Sequence, residues 1–168
     1  MTRKIFRQYL EIKSPKDIKE KIKPHFGYSV YKVKPKDFQL NKFFYKQIGN
    51  KYNWVDRLIW TDRHWIEYVS NENLLTFVLK YKEELCGYFE LIIHKDKAEI
   101  EIAYFGLLEE YFGKKLGGYF LSEALKRSFL LSNIRRVWCH TCSLDHKNAL
   151  KNYLSRGMNI FKTEIFKQ

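Results

Sequence analysis

Residues 101–121, EIAYFGLLEEYFGKKLGGYFL, predict a strand, a short glycine- and lysine-rich loop and a helix in direct succession. The loop leads into a helix N-terminus, where backbone N–H groups lack partners and the helix dipole favours negative charge. Glycine also lets the backbone approach a phosphate group closely. The stretch therefore predicts an anion-binding loop, and Glu101 in the preceding strand is an acid that can take part in proton chemistry beside it.

The composition indicates one compact α/β domain. The chain has 168 residues, of which 45% are hydrophobic and 17% aromatic, enough to build a core. No run of about 18 uncharged apolar residues predicts a membrane span, and the basic N-terminus lacks the apolar core of a signal peptide. We therefore expect a cytoplasmic protein without membrane association, with residues 1–168 as a single domain and 1–26 as an N-terminal arm or an extra strand.

The cysteines bear on metal binding, and the net charge bears on the kind of partner the protein binds. Cys139 and Cys142 form a CxxC, but in a strand-like segment these positions point to opposite faces and no second pair follows, so we expect no metal site. With 31 basic and 19 acidic residues, the net charge of +12 fits a solvated surface, an anionic cofactor or substrate, or nucleic acid. Nucleic acid is the less favoured partner, because the lysines are scattered rather than in a block.

Hydrophobic patterns and turn signals predict the order β-α-α-β-β-β-α-β-α-β. Short polar turns between the three central strands predict an antiparallel meander, which is followed by a β-α-β crossover. Asp37, Thr61 and Asp145 are the predicted helix N-caps, and Gly49 and Gly157 the predicted stops. Strands are predicted at 28–33, 74–81, 86–94, 97–107, 134–142 and 158–166, and helices at 38–48, 62–69, 116–129 and 146–156, with 4–12 as a strand or an irregular arm.

This order, with its motifs, resembles the GNAT superfamily of acetyl-CoA-dependent N-acetyltransferases over residues 27–166. The family's cofactor loop, Gln/Arg-x-x-Gly-x-Gly/Ala, is similar to residues 112–117. Phe112 replaces the usual Gln or Arg, and Lys115 replaces the first of the two motif glycines. The resemblance implies an α/β (α+β) GNAT fold, with a mixed, mostly antiparallel sheet of about six to seven strands flanked by about four helices.

Two further segments carry the resemblance. Ala149-x-x-x-Tyr153-x-x-x-Gly157-Met158 resembles the family's late helix, although His146 takes the position usually held by Asn. The tryptophan-rich segment from Trp54 looks like that of a little-specified bacterial subgroup. The resemblance implies acetyl-CoA as cofactor, held by Phe105, Gly106, Leu107, Phe112, Gly113, Lys114, Lys115, Leu116, Gly117, Gly118, His146 and Ala149. It also implies that the strands beginning near Lys97 and Ile134 part to admit the pantetheine arm.

The resemblance further implies direct acetyl transfer to a primary amine, on a small molecule or a peptide, within a ternary complex. Deprotonating such an amine at pH 7 costs roughly 4–5 kcal/mol, so a base is required. Glu101 is the first candidate for this base, with Glu90 and Glu99 in reserve, and Tyr153 is the candidate acid for the departing thiolate. The predicted substrate pocket consists of Trp54, Arg57, Trp60, Trp65, Tyr88 and Glu90.

Two other functions stay open at this point. The departures at Phe112 and Lys115 fit a non-catalytic acyl-CoA-binding or sensor module on the same fold. A basic nucleic-acid-binding protein would need aromatic side chains exposed beside lysines. The residues leave the identity of the acceptor open, together with the choice between a monomer and a homodimer.

Overall fold

The computed structural model describes residues 3–167, which form seven strands and four α-helices. The predicted succession of ten elements is confirmed, with one strand added in front of it. The strands are β1 (Lys4–Ile12), β2 (Tyr28–Lys32), β3 (Leu74–Tyr81), β4 (Glu84–His94), β5 (Glu99–Leu107), β6 (Arg136–Cys142) and β7 (Asn159–Lys167), and the helices are α1 (Phe38–Gly49), α2 (Asp62–Ser70), α3 (Leu116–Phe129) and α4 (Ala149–Ser155).

The strands form one mixed sheet in the order β2-β3-β4-β5-β6-β1-β7. Every neighbouring pair is antiparallel except β5 and β6, which are parallel. Strands β3 to β5 form the predicted meander, and α3 makes the crossover from β5 to β6. The predicted mixed, mostly antiparallel sheet with four flanking helices is therefore confirmed.

Helices cover both faces of the sheet, and β4 has side chains that pack against a helix on each face. Phe89 faces α3, where its ring centre lies 5.0 Å from that of Phe120. Tyr88 faces the opposite side, where its ring stacks on Phe44 of α1 at 4.9 Å. Because β4 is buried on both faces, it is a nearly continuous apolar run rather than an alternating one.

Residues 4–12, predicted as a strand or an irregular arm, form a strand. β1 pairs with β6 through residues 7–12 and with β7 through residues 4–11, so it is an interior member of the sheet. Leu10 and Ile12 are buried in the main core beside Val137 of β6. The first strand of the chain therefore holds the last strand, β7, on the sheet.

Two predicted N-caps are confirmed, and one predicted helix stop has a different role. The side chains of Asp37 and Thr61 accept hydrogen bonds from the first turns of α1 and α2. Gly49 is the last residue of α1 rather than a residue beyond it. A Cβ at Gly49 would lie 2.5 Å from the Cβ of Trp54, so glycine at this position allows the Trp54 ring to pack on the helix end.

The prediction of Asp145 as a helix N-cap was wrong. Helix α4 begins later, at Ala149, and its N-cap residue makes no side-chain cap. The Asp145 carboxylate accepts hydrogen bonds from Thr141 Oγ1 at 2.6 Å and from the Cys142 N–H at 2.9 Å. It therefore closes the turn that follows β6, because these local donors satisfy it before a helix can begin.

Gly157 ends α4 as predicted, and its backbone conformation leads to the first testable prediction. Its φ is +102°, and a Cβ there would lie 2.1 Å from the carbonyl oxygen of Asp17. We expect Gly157→Ala to lower the free energy of unfolding by about 2–4 kcal/mol, measured by urea denaturation. Gly113→Ala is the matched control, because Gly113 also has positive φ (+74°) but no neighbour within 4 Å. Equal losses in the two variants would contradict a steric role for the contact with Asp17.

The CxxC on β6 places one thiol in the core and one in a cleft. Cys139 is buried with its Sγ 4.0 Å from the Sδ of Met158, and burial raises its pKa. Cys142 lines the cleft described below. Within residues 3–167, no group of three or more His, Cys, Asp or Glu side chains is arranged to hold a metal ion. Helices long and apolar enough to cross a membrane are absent from the same part of the chain.

Candidate active site

The site is a cleft that opens where β5 and β6 separate. The two strands pair over only three residues, from Glu99 to Glu101 of β5, and then diverge. The cleft has a volume of about 1090 Å³, with residues 102–107 of β5 on one side and 140–142 of β6 on the other. It lies at the carboxyl ends of two parallel strands, the position where open sheets favour a ligand.

The backbone of β5 is available to a ligand along this cleft. β5 pairs with β4 on one edge, with a bulge at Ala103 between the pairs Leu91–Ile102 and Glu90–Tyr104. Bulges of this kind change the direction of a strand and are frequent beside active sites. Since β6 has already diverged, the backbone N–H and C=O groups on the other edge of residues 102–107 lack a strand partner. An extended ligand with amide groups can pair with them.

The glycine- and lysine-rich loop brings the N-terminus of α3 to the cleft. Gly113 and Lys115 have φ values of +74° and +60°, and α3 begins at Leu116 without a side-chain cap. Lysine adopts this left-handed conformation at a cost of about 1–2 kcal/mol, which explains why glycine suits the position. The first amides of α3, including that of Gly117, therefore have no capping side chain, and these residues line the cleft.

Basic side chains surround this loop. Arg156 has the most informative environment, because its Nε and Nη1 are buried without a hydrogen-bond partner and burial lowers its pKa. Its Nη1 lies 2.7 Å from where a Cβ on Gly118 would be, which places the guanidinium beside the first turn of α3. An unpaired buried cation next to a helix N-terminus fits a phosphate group. The basic residues of the cleft in this region are Lys21, Lys115, Lys147, Lys151 and Arg156.

Eleven of the twelve predicted cofactor residues line the cleft, namely Phe105, Gly106, Leu107, Phe112, Gly113, Lys115, Leu116, Gly117, Gly118, His146 and Ala149. The exception, Lys114, is turned away, with its Nζ 5.1 Å from the ring centre of Tyr111. Phe112 meets His146 edge to face at 5.1 Å. The aromatic ring that departs from the family motif therefore packs across the loop.

Tyr153 lines the middle of the cleft from α4. It is 8% exposed, and its ring centre lies 6.4 Å from that of Phe105. Burial, followed by the nearby Cys139 and Asp145, raises its pKa well above the ordinary value. Its hydroxyl therefore stays protonated across the physiological pH range and can donate a hydrogen bond into the cleft.

Glu101 lies at the point where β5 and β6 part and is the only one of the three candidate glutamates that lines the cleft. Its Oε2 is 3.0 Å from Nε2 of His94, and its side chain is 19% exposed. The His94 ring is nearly parallel to that of Trp138, with ring centres 6.1 Å apart. His94 therefore orients the carboxylate, and no hydrogen bond within residues 3–167 occupies Oε1.

The two reserve glutamates have other partners. Glu99 accepts a hydrogen bond from Nη2 of Arg136 at 3.1 Å, on the sheet surface beside the cleft. Glu90 is fully buried and accepts hydrogen bonds from Asn41, Arg57 and Tyr68 at 2.7–3.1 Å. A carboxylate with this many donors and no exposed surface is a structural group.

The structure corrects part of the predicted substrate pocket. The Cζ of Arg57 lies 4.1–5.6 Å from five aromatic ring centres, and its Nη1 donates to Glu90. The ion pair of Arg57 and Glu90, covered by these rings, forms one wall of the cleft. Trp54 and Arg57 reach the cleft surface, whereas Trp60, Trp65, Tyr88 and Glu90 lie behind it. The tryptophan-rich pattern is mainly that of a core, because Trp60 and Trp65 are two of the five rings around the buried guanidinium.

The sequence prediction missed the residues that the chain ends contribute. Ile5 and Arg7 of β1 and Phe166 of β7 line the cleft on the side away from β5, beyond β6. The pattern of residues 4–12 indicated a strand but carried no signal for its place in the sheet. The position of β1 between β6 and β7 brings these three side chains to the cleft.

The fold is of the acyltransferase type, because it combines a mixed sheet, two parallel strands that part, and a basic glycine loop at the start of a helix. Residues 37–158 match the model of the acetyltransferase (GNAT) family. The chain therefore belongs to that family, as its motifs predicted. Comparison with curated proteins gave no match.

Solved structures share the fold at low sequence identity. A GCN5-related N-acetyltransferase from Sphaerobacter thermophilus has a TM-score of 0.70 at 13% identity, over 99% of this chain and 52% of its own. One from Kribbella flavida has a TM-score of 0.68 at 14% identity, over 96% of this chain and 56% of its own. A Vibrio cholerae spermidine N-acetyltransferase in complex with CoA and spermine has a TM-score of 0.64 at 15% identity, over 86% of this chain and 97% of its own. This chain thus spans little more than half the length of the first two, and these likenesses show the fold alone.

Proposed function

We propose that the chain is an acetyl-CoA-dependent N-acetyltransferase that transfers an acetyl group directly to a primary amine. One observation carries the proposal: a single cleft joins the basic loop at the N-terminus of α3 to the carboxylate of Glu101. Tyr153 and the unpaired backbone of β5 lie between these two ends. The cleft therefore provides an anion site, a pairing edge, an acid and a base in one continuous space.

The residues at the loop end fit the phosphates of CoA. The amides of residues 113–118 and the unpartnered guanidinium of Arg156 would hold the pyrophosphate, because both favour a buried anion. The free edge of residues 102–107 would pair with the amides of the pantetheine arm. When bound, acetyl-CoA supplies the activated acetyl thioester.

Glu101 would remove the proton that the amine must lose. A lysine-type amine is almost fully protonated at pH 7. Removing its proton costs roughly 4–5 kcal/mol, and a base must accept that proton. The carboxylate is partly desolvated yet open to the cleft, and His94 keeps it in one orientation. A proton accepted at Oε1, directly or through a water molecule, leaves the amine lone pair free to attack.

Tyr153 would act on the sulfur side. Its pKa is raised by burial, so its O–H is a donor at every pH at which the amine reacts. A hydrogen bond or a proton from this hydroxyl stabilises the thiolate as the C–S bond breaks. A thiol has an ordinary pKa near 8.5 and leaves readily, so this contribution is smaller than that of the base.

Calorimetry combined with a thiol-release assay tests the proposal. We expect acetyl-CoA and free CoA to bind in the micromolar range, and a panel of primary amines to include members that accelerate thiol release. Binding without thiol release from any amine would favour the acyl-CoA sensor module. Absence of binding would overturn the cofactor site itself, and a salt-dependent shift of a labelled oligonucleotide would then bring the nucleic-acid alternative forward.

A further inference from the structure

The β1 side of the cleft carries an arginine, Arg7, on the far side of β6 from Glu101. Arg7 lies on β1 opposite Cys142 of β6 and Glu164 of β7. Its Nε is buried and has no hydrogen-bond partner among residues 3–167, and its guanidinium lies 4.7 Å from the ring centre of Phe166. Within residues 3–167 no carboxylate lies within salt-bridge distance of Arg7. The guanidinium therefore lies against an aromatic ring and forms no salt bridge with the described part of the chain.

The acid nearest in register is already occupied. Glu164 accepts a hydrogen bond from the Tyr9 hydroxyl at 2.9 Å and forms a salt bridge with Lys162. Asp145, which also lines the cleft, is held by the turn after β6. Neither carboxylate is available to neutralise Arg7 without giving up its own donors.

The arginines that have only a structural role in this fold form salt bridges with glutamates. Arg57 is paired with Glu90, Arg127 with Glu123, and Arg136 with both Glu11 and Glu99. Arg7 and Arg156 differ, because both line the cleft and neither forms a salt bridge with any of residues 3–167. Arg156 lies beside the loop, where phosphates are expected, whereas Arg7 lies on β1, across β6 from β5.

Arg7 and Glu101 face the same space. Glu101 lies opposite Trp138, and Arg7 lies opposite Cys142, which is four residues further along β6 and on the same face. Their backbones are therefore about 13 Å apart along the strands and about 10 Å apart across them. Because both side chains are long and line the same cleft, their charged groups can lie closer together than the backbones do. A small molecule can span the remaining separation.

We propose that Arg7 binds a carboxylate on the acceptor, so that the substrate is an amine that also carries a carboxylate group, such as an amino acid or a peptide with a free C-terminus. This inference rests on the function proposed above and names its substrate class. Guanidinium binds carboxylate through two parallel hydrogen bonds, which would orient the amine towards Glu101. Polycationic amines are disfavoured, because they would place a second positive charge beside Arg7.

A binding experiment tests the inference without requiring turnover. N-acetylated amino acids, which have the shape of the product, and the corresponding N-acetyl carboxamides are titrated into CoA-saturated protein. We expect the carboxylate forms to bind roughly 10- to 100-fold more tightly than the carboxamides. Arg7→Met should abolish that preference while CoA affinity is unchanged, and Arg7→Lys should retain part of it. Arg63→Met is the control for net charge, because Arg63 is exposed on α2 and pairs only with Glu67.

The outcomes separate this inference from the proposed function. Equal affinity for carboxylates and carboxamides in the wild-type protein, or a preference that survives in Arg7→Met, would overturn the role of Arg7 even if amines are acetylated. Thiol release with amino acids and not with the matching decarboxylated amines would support it in a second assay. Absence of thiol release with every amine would overturn the transferase function but would leave the binding preference as a valid measurement of the Arg7 site.

Discussion

Glu101→Gln is expected to lower kcat by roughly 100- to 10,000-fold and to leave acetyl-CoA affinity almost unchanged. Glutamine has nearly the shape of glutamate and can still contact His94, but it cannot accept the amine proton. Glu101 is also distant from the basic loop, since it lies where β5 leaves β6, so the cofactor contacts should persist. Steady-state thiol release and calorimetry, measured on the same preparation, give the two quantities.

The matched control for this variant is Glu99→Gln. Glu99 lies on the same strand and face, but its carboxylate is bound to Arg136 and does not line the cleft. We expect it to change kcat by less than about threefold, since Glu99 does not line the cleft and Arg136 keeps its second partner, Glu11. Similar kinetics for Glu101→Gln and the wild-type protein would exclude Glu101 as the base. Equal losses in both variants would indicate damage to the sheet rather than to catalysis.

Gly117→Glu should weaken CoA binding by roughly 100-fold or more without unfolding the protein. The new carboxylate would lie in the first turn of α3, where like charges beside the phosphates cost several kcal/mol. The fold has room for it, because a Cβ at Gly117 would meet only Nδ2 of Asn152, at 3.5 Å. An acid in the first turn of a helix and the loss of a helical glycine both favour the folded state.

Calorimetry with CoA and thermal unfolding measure the two consequences for this variant. Gly117→Ala is the comparison, since it adds the Cβ without the charge and should bind CoA more tightly than Gly117→Glu does. Tight CoA binding by folded Gly117→Glu protein would show that the phosphates lie elsewhere, and the loop would lose its proposed role.

Elements with strong local signals could be predicted closely from the sequence. The bounds of β3 and α3 coincide with the predicted 74–81 and 116–129, because an uninterrupted apolar run and a helical apolar period are properties of neighbouring residues. The proposed cofactor loop could be located for the same reason, since a strand, a glycine turn and a helix follow each other within about twenty residues.

What could not be predicted depends on partners that are distant in the sequence. Glu90 had the position of a pocket residue, but its partner Arg57 comes from the loop between α1 and α2, and only the fold shows that the two meet beneath a layer of rings. Asp145 had the residue type of a helix cap, yet donors three and four residues earlier satisfied it first. Arg7 had no recognisable signal, because its place in the cleft follows from the pairing of β1 with two late strands.

The place of β1 in the sheet also constrains the order of events during synthesis. Arg7 pairs with Cys142 and Glu164, which lie 135 and 157 residues later in the sequence, so β1 cannot pair with β6 and β7 until those strands have been made. At 5–20 residues per second, that wait is on the order of 10–30 s. Meanwhile Leu10 and Ile12, which end in the core, are exposed on an unpaired strand. The β6-β1-β7 part of the sheet, and with it the side of the cleft that carries Arg7, is therefore completed only after β7 has been made, whereas the meander β3–β5 can form earlier from local contacts.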